Sequence, residues 1–503
     1  MRKRSSTALV SALISAAILA GVASAGSSDR WWSPGEDRDL PASISYENEF
    51  GSLTILNANG AVRTKGHPFF EPIGHNGRAC VTCHQPSDAM SISVTTLRER
   101  WAQTGGKDPV FAAIDGSNCP NLPQNERASH SLLLDKGLFR IFLPWPPKAP
   151  DGKAIAPEFT IEVVKDPTGC NLHPVYGLQS ENPTISVFRR PRVVGNLKYV
   201  TQVDRIAMPF EVKSGEPLAV DPSTGERVSM NIMSDSREPT LRTQAANAAL
   251  IHLQAHQGLT DAQLQQIIDF EQQLYVAQSF DRRAGDLTKA DGPPGLGPAA
   301  MLRGTPGILA NGATNHLFGS FEVWSGSGAD SADPGAAFRA SVSRGAALFQ
   351  TRTIWVRDVY NFNTLGVGNP QKRNCVGCHN MSMTGLDVAP GYMDLGTANL
   401  PHSEAGDDLP LFKLTCSPKA APHPYLGRVI FTHDPGRALV TGRCREIGAI
   451  TMQQFRGLAA RAPYFSNGSA ATLRDVIEIY DRRFDMKLTE QEIQDLTNFM
   501  SVL

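Results

Sequence analysis

Cys80-Val81-Thr82-Cys83-His84 and Cys375-Val376-Gly377-Cys378-His379 are two copies of one pattern, C-x-x-C-H. Two thiols two residues apart reach both vinyl groups of one porphyrin and form thioethers. The histidine that follows then lies beneath the ring as the proximal iron ligand. A zinc ribbon sets its cysteine pairs roughly 15–20 residues apart, whereas Cys80 and Cys375 are 295 apart. Neither a zinc ribbon nor a pair of redox dithiols explains a histidine in the same place twice. The pattern predicts two covalently bound haem c groups. Cys80, Cys83 and His84 attach one, Cys375, Cys378 and His379 the other, and His84 and His379 are the expected iron ligands.

The chain around these motifs has 503 residues, enough for two or three domains with their own cores. It opens with Met1-Arg2-Lys3-Arg4, an apolar stretch from Ala8 to Val22 and the small residues Ala23-Ser24-Ala25. This predicts a signal peptide over 1–25 and a periplasmic or secreted protein. An uncleaved anchor is the alternative, for which the apolar stretch is short. No later stretch is long and apolar enough to cross a bilayer, so no stable membrane insertion is expected. Removing the leader's three basic residues takes the formal net charge from −1 to −4. That balance gives no support to nucleic-acid binding.

Four of the eight cysteines remain: Cys119, Cys170, Cys416 and Cys444. In an oxidising compartment an even remainder suggests disulfides, and proximity favours Cys119–Cys170 and Cys416–Cys444. Free buried thiols are the alternative.

The segment from Arg98 to Pro183 reads as irregular and Pro-rich, a possible wall for a haem pocket, and the pattern turns helical from Thr240 onward. Thr260-Asp261-Ala262-Gln263 is a capping box. Leu264, Ile267, Ile268, Leu274 and Tyr275 follow at helical spacing, predicting a helix that ends near Phe280. Gly292-Pro293-Pro294-Gly295-Leu296-Gly297 reads as a boundary loop. It separates an N-terminal cytochrome c-like haem domain over 26–290 from a C-terminal cytochrome c domain over 300–503. An irregular insertion from about Ala389 to Gly442 follows the second motif. Thr472 caps a helix through Leu473, Val476, Ile477, Tyr480 and Phe484, and Thr489 with Glu492 caps the last one. Strand patterns are sparse. The expectation is a mainly α protein, two cytochrome c-like haem lobes with long irregular loops.

These residues resemble the bacterial di-haem cytochrome c peroxidase and MauG superfamily. The resemblance rests on both haem motifs and on two further runs. Asp235-Ser236-Arg237-Glu238-Pro239-Thr240-Leu241-Arg242-Thr243-Gln244 is similar to the family's W-D-G-R…L…Q-A stretch. Arg456 to Ser469, containing Pro463-Tyr464-Phe465-Ser466-Asn467-Gly468, is similar to L-R-N…P-Y-F-H-D-G. The resemblance implies that the His84 haem meets hydrogen peroxide or oxygen. The His379 haem would relay electrons from a small redox protein or a small-molecule donor. It also implies a calcium ion between the lobes, held partly by backbone carbonyls near Arg461 and Pro463.

The chain departs from that pattern in instructive places. The family's inter-haem tryptophan falls at Ser234. Gln244 is kept, but the acidic residue expected about ten positions later falls at Gln254, an amide that cannot take a proton. His252 lies eight residues from Gln244 on a predicted helix, roughly the same side, and is the candidate replacement acid–base group; a structural histidine is the alternative. Counting from Pro463 places the sixth ligand of the relay haem at Tyr480, with Met486 and Met452 as alternatives. For the distal side of the first haem, His67, His75, His130 and His173 are candidates, and an open position suits an enzyme better. Arg189 and Arg190 could pair with haem propionates or polarise a bound peroxide; ordinary solvated charges are the alternative.

Together these point to a periplasmic di-haem c-type oxidoreductase, peroxidase-like, with Gln244 and His252 as catalytic candidates. An electron-transfer cytochrome without chemistry at either iron, and a di-haem oxygenase, are the alternatives.

Overall fold

The computed structural model describes residues 23–24, 30–201, 221, 224–226, 228–304, 318–326, 333–359, 368–379 and 392–503. The expected leader lies almost entirely outside them. Among the described residues no helix is long and apolar enough to cross a membrane.

The expectation of a mainly α protein is wrong. The chain is 30% helical and 19% strand, with several sheets. One of them is built from Ser43–Glu47, Gly51–Asn57 and Leu274–Asp281, all antiparallel, with Leu53 opposite Gln278 and Ile55 opposite Val276. The helix capped by Thr260 therefore stops at Gln272, and Leu274 and Tyr275 belong to a strand. The physical reason is that Leu274–Gln278 is buried on both faces. A strand covered on both faces reads as a continuous apolar run, through which a helical period can be drawn as easily as a period of two. The other side of this strand is satisfied by a side chain: the Val276 N–H donates to Asn196 Oδ1 (2.9 Å), and the Asn196 amide donates to the Val276 carbonyl (3.0 Å).

The Arg98–Pro183 segment and the 389–442 insertion, both expected to be irregular, meet in a second sheet. Phe159–Lys165 pairs with Leu411–Cys416, which pairs with Val429–Thr432. Leu411–Cys416 does alternate, with Phe412, Leu414 and Cys416 inward. The apolar cluster beneath combines Phe159, Ile185 and Val187 with Phe412, Leu414 and Ile430. This sheet crosses the boundary expected at 290–300. Both expected disulfides are formed, Cys119–Cys170 with Cα atoms 5.3 Å apart and Cys416–Cys444 with 5.9 Å.

Phe139–Pro144 and Thr184–Arg189 pair antiparallel in a two-stranded ladder of their own. Its exit carries Arg190-Pro191-Arg192. Arg189 anchors it: its guanidinium pairs with Asp434 (2.6 and 2.8 Å) and with Asp235, which also holds Arg237 (3.0 Å).

The second motif is framed by helices. Leu473–Phe484 and Glu490–Ser501 form with the caps expected, Thr472 on Asp475 and Thr489 on Glu492. Pro334–Thr351 lies against Glu490–Ser501, cross-linked by Asp495 to Arg344 (2.7 and 2.8 Å) and Ser341 (2.5 Å). The backbones approach so closely that a Cβ at Gly345 would sit 2.0 Å from the Asp495 carbonyl oxygen. Gly345→Ala gains helix propensity of up to about 1 kcal/mol. It must also push the helices apart, at roughly 1–3 kcal/mol or more. The expected result is a net loss of stability, measured by urea denaturation; a stabilised variant would contradict this packing.

Candidate functional site: two cavities behind one shared wall

Both C-x-x-C-H segments fold into the same backbone shape. Each begins with an extended residue, Ala79 at φ −123°, ψ 173° and Asn374 at φ −119°, ψ 172°. A single 3₁₀ turn follows, Cys80–Thr82 or Cys375–Gly377. The histidine N–H closes it on the first cysteine's carbonyl, His84 to Cys80 at 3.1 Å and His379 to Cys375 at 2.8 Å. The side chains that brace the turns differ. Thr82 Oγ1 accepts from the Ala79 N–H (3.0 Å), whereas Asn374 Oδ1 accepts from the Gly377 N–H (3.0 Å). Shared geometry from different local chemistry means the C-x-x-C-H spacing is what the two turns have in common.

Each turn opens both thiols and its histidine onto a cavity of its own. The two cavities, mouths included, hold about 1320 and 1510 Å³ of open space. The four cysteines outside the disulfides are the four at these cavities. Burial pushes the Cys83 thiol up to about 12 and Cys375 to about 11, with Cys80 higher still. Reactive dithiols need the opposite shift, so a redox-dithiol reading fits this environment poorly.

The histidine of the first motif meets two requirements of a metal ligand. Its Nδ1–H donates to the Met90 carbonyl (3.2 Å), which leaves Nε2 as the lone-pair nitrogen. Burial pushes the imidazole down to about 4, so it is neutral, as ligation requires. The His379 ring lies between Phe455 (4.5 Å) and Phe349 (6.2 Å). These donor sets, with four thiols outside the disulfides, fit two covalently attached haems. Cys80, Cys83 and His84 would hold one and Cys375, Cys378 and His379 the other.

Gln244 and His252 both line the first cavity, from the Leu241–Ile251 helix and its C-cap. His252 Nδ1 lies 2.6 Å from Asp115 Oδ2, and Asp115 in turn holds buried Arg78. A carboxylate on Nδ1 fixes the ring and leaves Nε2 to exchange a proton. Gln254 does not line this cavity; it is the left-handed residue of the turn that follows, at φ 54°. None of His67, His75, His130 and His173 lines it either. His67 packs on Phe70 and Phe270, and His75 stacks on His256. His130 spends both ring nitrogens on the Gly116 and Gln124 carbonyls, and His173 stacks on Tyr176.

Tyr480, Met452 and Met486 all line the second cavity, and so does Met393, which the sequence did not single out. Burial raises the Tyr480 hydroxyl above its ordinary range. Among the described residues that hydroxyl has no hydrogen-bond partner; its ring stacks on Phe484 at 6.0 Å.

The cavities share a wall. Arg190, Pro191 and Gln453 line both. Ser234 lies at this wall, lining the first cavity while its carbonyl accepts from the N–H of Thr451, which lines the second (2.8 Å). Arg189 is neutralised by its aspartates, but buried Arg190 and Arg461 and half-buried Arg192 have no carboxylate at ion-pair distance among the described residues. A buried cation without a counterion is costly, and the carboxylates of haem propionates are suited to meet this one.

The residue that sequence reading missed is Glu271. It is 4% exposed, lines the first cavity from the Asp261–Gln272 helix, and has no hydrogen-bond partner for Oε2. Its only sequence signal is an acid on the helix face that also carries Leu264, Ile267 and Ile268. No family model, curated protein or solved structure matches this chain.

Burial moves the Glu271 carboxyl from 4.5 to about 8. A carboxyl raised on folding contributes stability that is full below about pH 4.5 and is lost as pH rises toward about 8. Glu271→Gln removes this dependence, of up to about 1.4 kcal/mol per pH unit. Urea midpoints at about pH 5 and about pH 8 should show the variant gaining on the parent as pH rises; parallel curves would mean that the carboxyl finds a partner.

Proposed function

We propose that this chain is an exported di-haem c-type oxidoreductase of the peroxidase kind, reducing hydrogen peroxide at the first cavity with electrons that arrive through the second. The observation that carries this reading is the pair of C-x-x-C-H turns of one backbone shape, each presenting two thiols outside the disulfides and a histidine to a separate cavity. When bound, haem supplies the iron at which the oxidant is taken up and through which electrons are stored and passed.

The chain's own residues supply the rest. Reduction of one peroxide to two waters consumes two electrons and two protons. His252, oriented by Asp115, takes a proton from one peroxide oxygen and returns it to the departing one through Nε2. Gln244, on the same helix, donates a hydrogen bond from its amide to orient the oxidant. The absence of His67, His75, His130 and His173 from the cavity supports a position left open to that oxidant. The shared wall of Arg190, Pro191 and Gln453 supports electron passage between the two centres, across Ser234 rather than an aromatic ring. Tyr480 would help hold the haem of the second cavity, and as a phenolate it would be a hard donor that favours the ferric state.

The decisive experiment combines intact mass with kinetics on protein matured in a host with haem-ligation machinery. The mass should show two haems, and one centre should bind cyanide and react with peroxide. His252→Ala should keep both haems and lose about 10²–10⁴-fold in peroxide rate. A faster reaction in that variant would make His252 a blocking ligand instead, and two six-coordinate irons inert to cyanide would leave a plain electron carrier. Tyr480→Phe should change the visible spectrum of one centre only; an unchanged spectrum would remove it as a ligand.

A further inference from the structure

The wall between the cavities contains a cage of backbone carbonyls, and the cage is already filled. Arg190 Nη2 donates to the carbonyls of Ile92 (2.7 Å) and Arg461 (2.8 Å), and Nη1 to that of Lys136 (3.2 Å). The Arg190 backbone N–H donates to the Ser466 carbonyl (2.9 Å), and the Val94 N–H takes the Ala462 carbonyl (3.3 Å). Carbonyl oxygens converging from separate segments are what a hard cation such as calcium uses. Here the segment expected to supply them, around Arg461 and Pro463, spends its Arg461, Ala462 and Ser466 carbonyls on protein donors. Among the described residues no group of three or more His, Cys, Asp or Glu side chains is arranged to hold a metal ion. The residues therefore do not fit the calcium ion that the family resemblance implies.

They fit a guanidinium. Gly137 supports this, since a Cβ there would lie 2.2 Å from Arg190 Nη1. The backbone at Gly137 is left-handed, at φ 66°, which favours glycine as well. The fork thus holds three segments that sequence keeps far apart: the approach to the Val94–Thr104 helix, the end of Ser131–Lys136, and the 461–466 loop. Burial, and then the neighbouring Arg461, lower the Arg190 guanidinium to about 10, which still leaves it charged at neutral pH.

We propose that Arg190 is a built-in cation that stands where a metal would otherwise sit, holding the wall together and acting electrostatically on both cavities at once. Arg190 is a positioning residue in this account. A fixed positive charge beside two redox centres favours the reduced, less positive state of each. Its removal should therefore lower both reduction potentials together. That last step rests on the di-haem reading above, whereas the replacement of the metal does not.

The test has two arms. In the first, melting temperatures of the purified parent are measured with calcium chloride and with EGTA, and calcium binding is followed by calorimetry. The parent should melt at the same temperature in both and show no tight calcium binding. A melting point lowered by EGTA, or a tight stoichiometric site, would overturn the proposal; this arm needs no haem and stands even if the protein proves colourless. In the second, spectroelectrochemical titration follows both centres in the parent, Arg190→Gln and Arg190→Lys. Arg190→Gln should melt earlier and lower both potentials. Arg190→Lys keeps the charge and should recover most of the potentials but not all of the melting temperature, because ammonium lacks the fork. A shift at one centre alone, or none, in haem-loaded protein would overturn the electrostatic role. If Arg190→Gln does not fold, Arg190→Lys with parent-like potentials and a lower melting point still supports it, and a Lys variant with both potentials displaced as if uncharged refutes it.

Discussion

The Arg189 guanidinium, 2% exposed and clasped by Asp235 and Asp434, is the contact on which the arrangement of the two cavities depends. It and its two partners come from three distant parts of the chain: the Thr184–Arg189 strand, the Asp235–Gln244 run and the 411–447 region. Breaking a buried ion pair on one side costs about 3–5 kcal/mol because a charge is left stranded. The network therefore fixes the register in which these segments meet, and the next residue of the strand exit, Arg190, is delivered to the wall. Adjacent arginines thus have opposite electrostatic situations. Arg189 is neutralised by carboxylates, and Arg190 is solvated only by carbonyl oxygens.

That difference sets the character of the site. Each cavity is walled mostly by apolar side chains, so charges inside act at low effective dielectric and over longer distances than at a surface. Three of the polar groups that line the first cavity are held in distinct ways. His252 leans on Asp115, His84 on the Met90 carbonyl, and Glu271 is left protonated by burial. The first cavity thereby gathers an oriented imidazole, an amide and a neutral carboxylic acid. The second gathers a phenol and thioethers from Met393, Met452 and Met486. Proton-handling groups thus line one cavity, and a buried phenol with thioethers lines the other.

Reading the sequence recovered what depends on short spacing. The two C-x-x-C-H turns, the caps at Thr260, Thr472 and Thr489, and both disulfides follow from residues near one another or from simple proximity along the chain. Gln244 and His252 reach the same cavity because one helix carries both. The sheets were hidden for a different reason. Leu274–Asp281 is covered on both faces and loses the alternation that marks a strand, while Phe159–Lys165 and Leu411–Cys416 are stable only against each other. Four plausible histidines proved to be committed elsewhere, since a histidine's availability depends on neighbours that the sequence does not display.

By itself, then, the amino-acid sequence determined the chemistry on offer: two paired sets of thiols with a histidine each, and the helices that frame them. Covalent spacing and local hydrogen bonding are short-range and survive without knowledge of the fold. Only tertiary structure decided which groups are charged, which are shared and which are spent. Arg190 lines both cavities, Glu271 is neutral and the Arg461 carbonyl is occupied because segments far apart in sequence are packed together, and burial and partnership, unlike spacing, are properties of that packing.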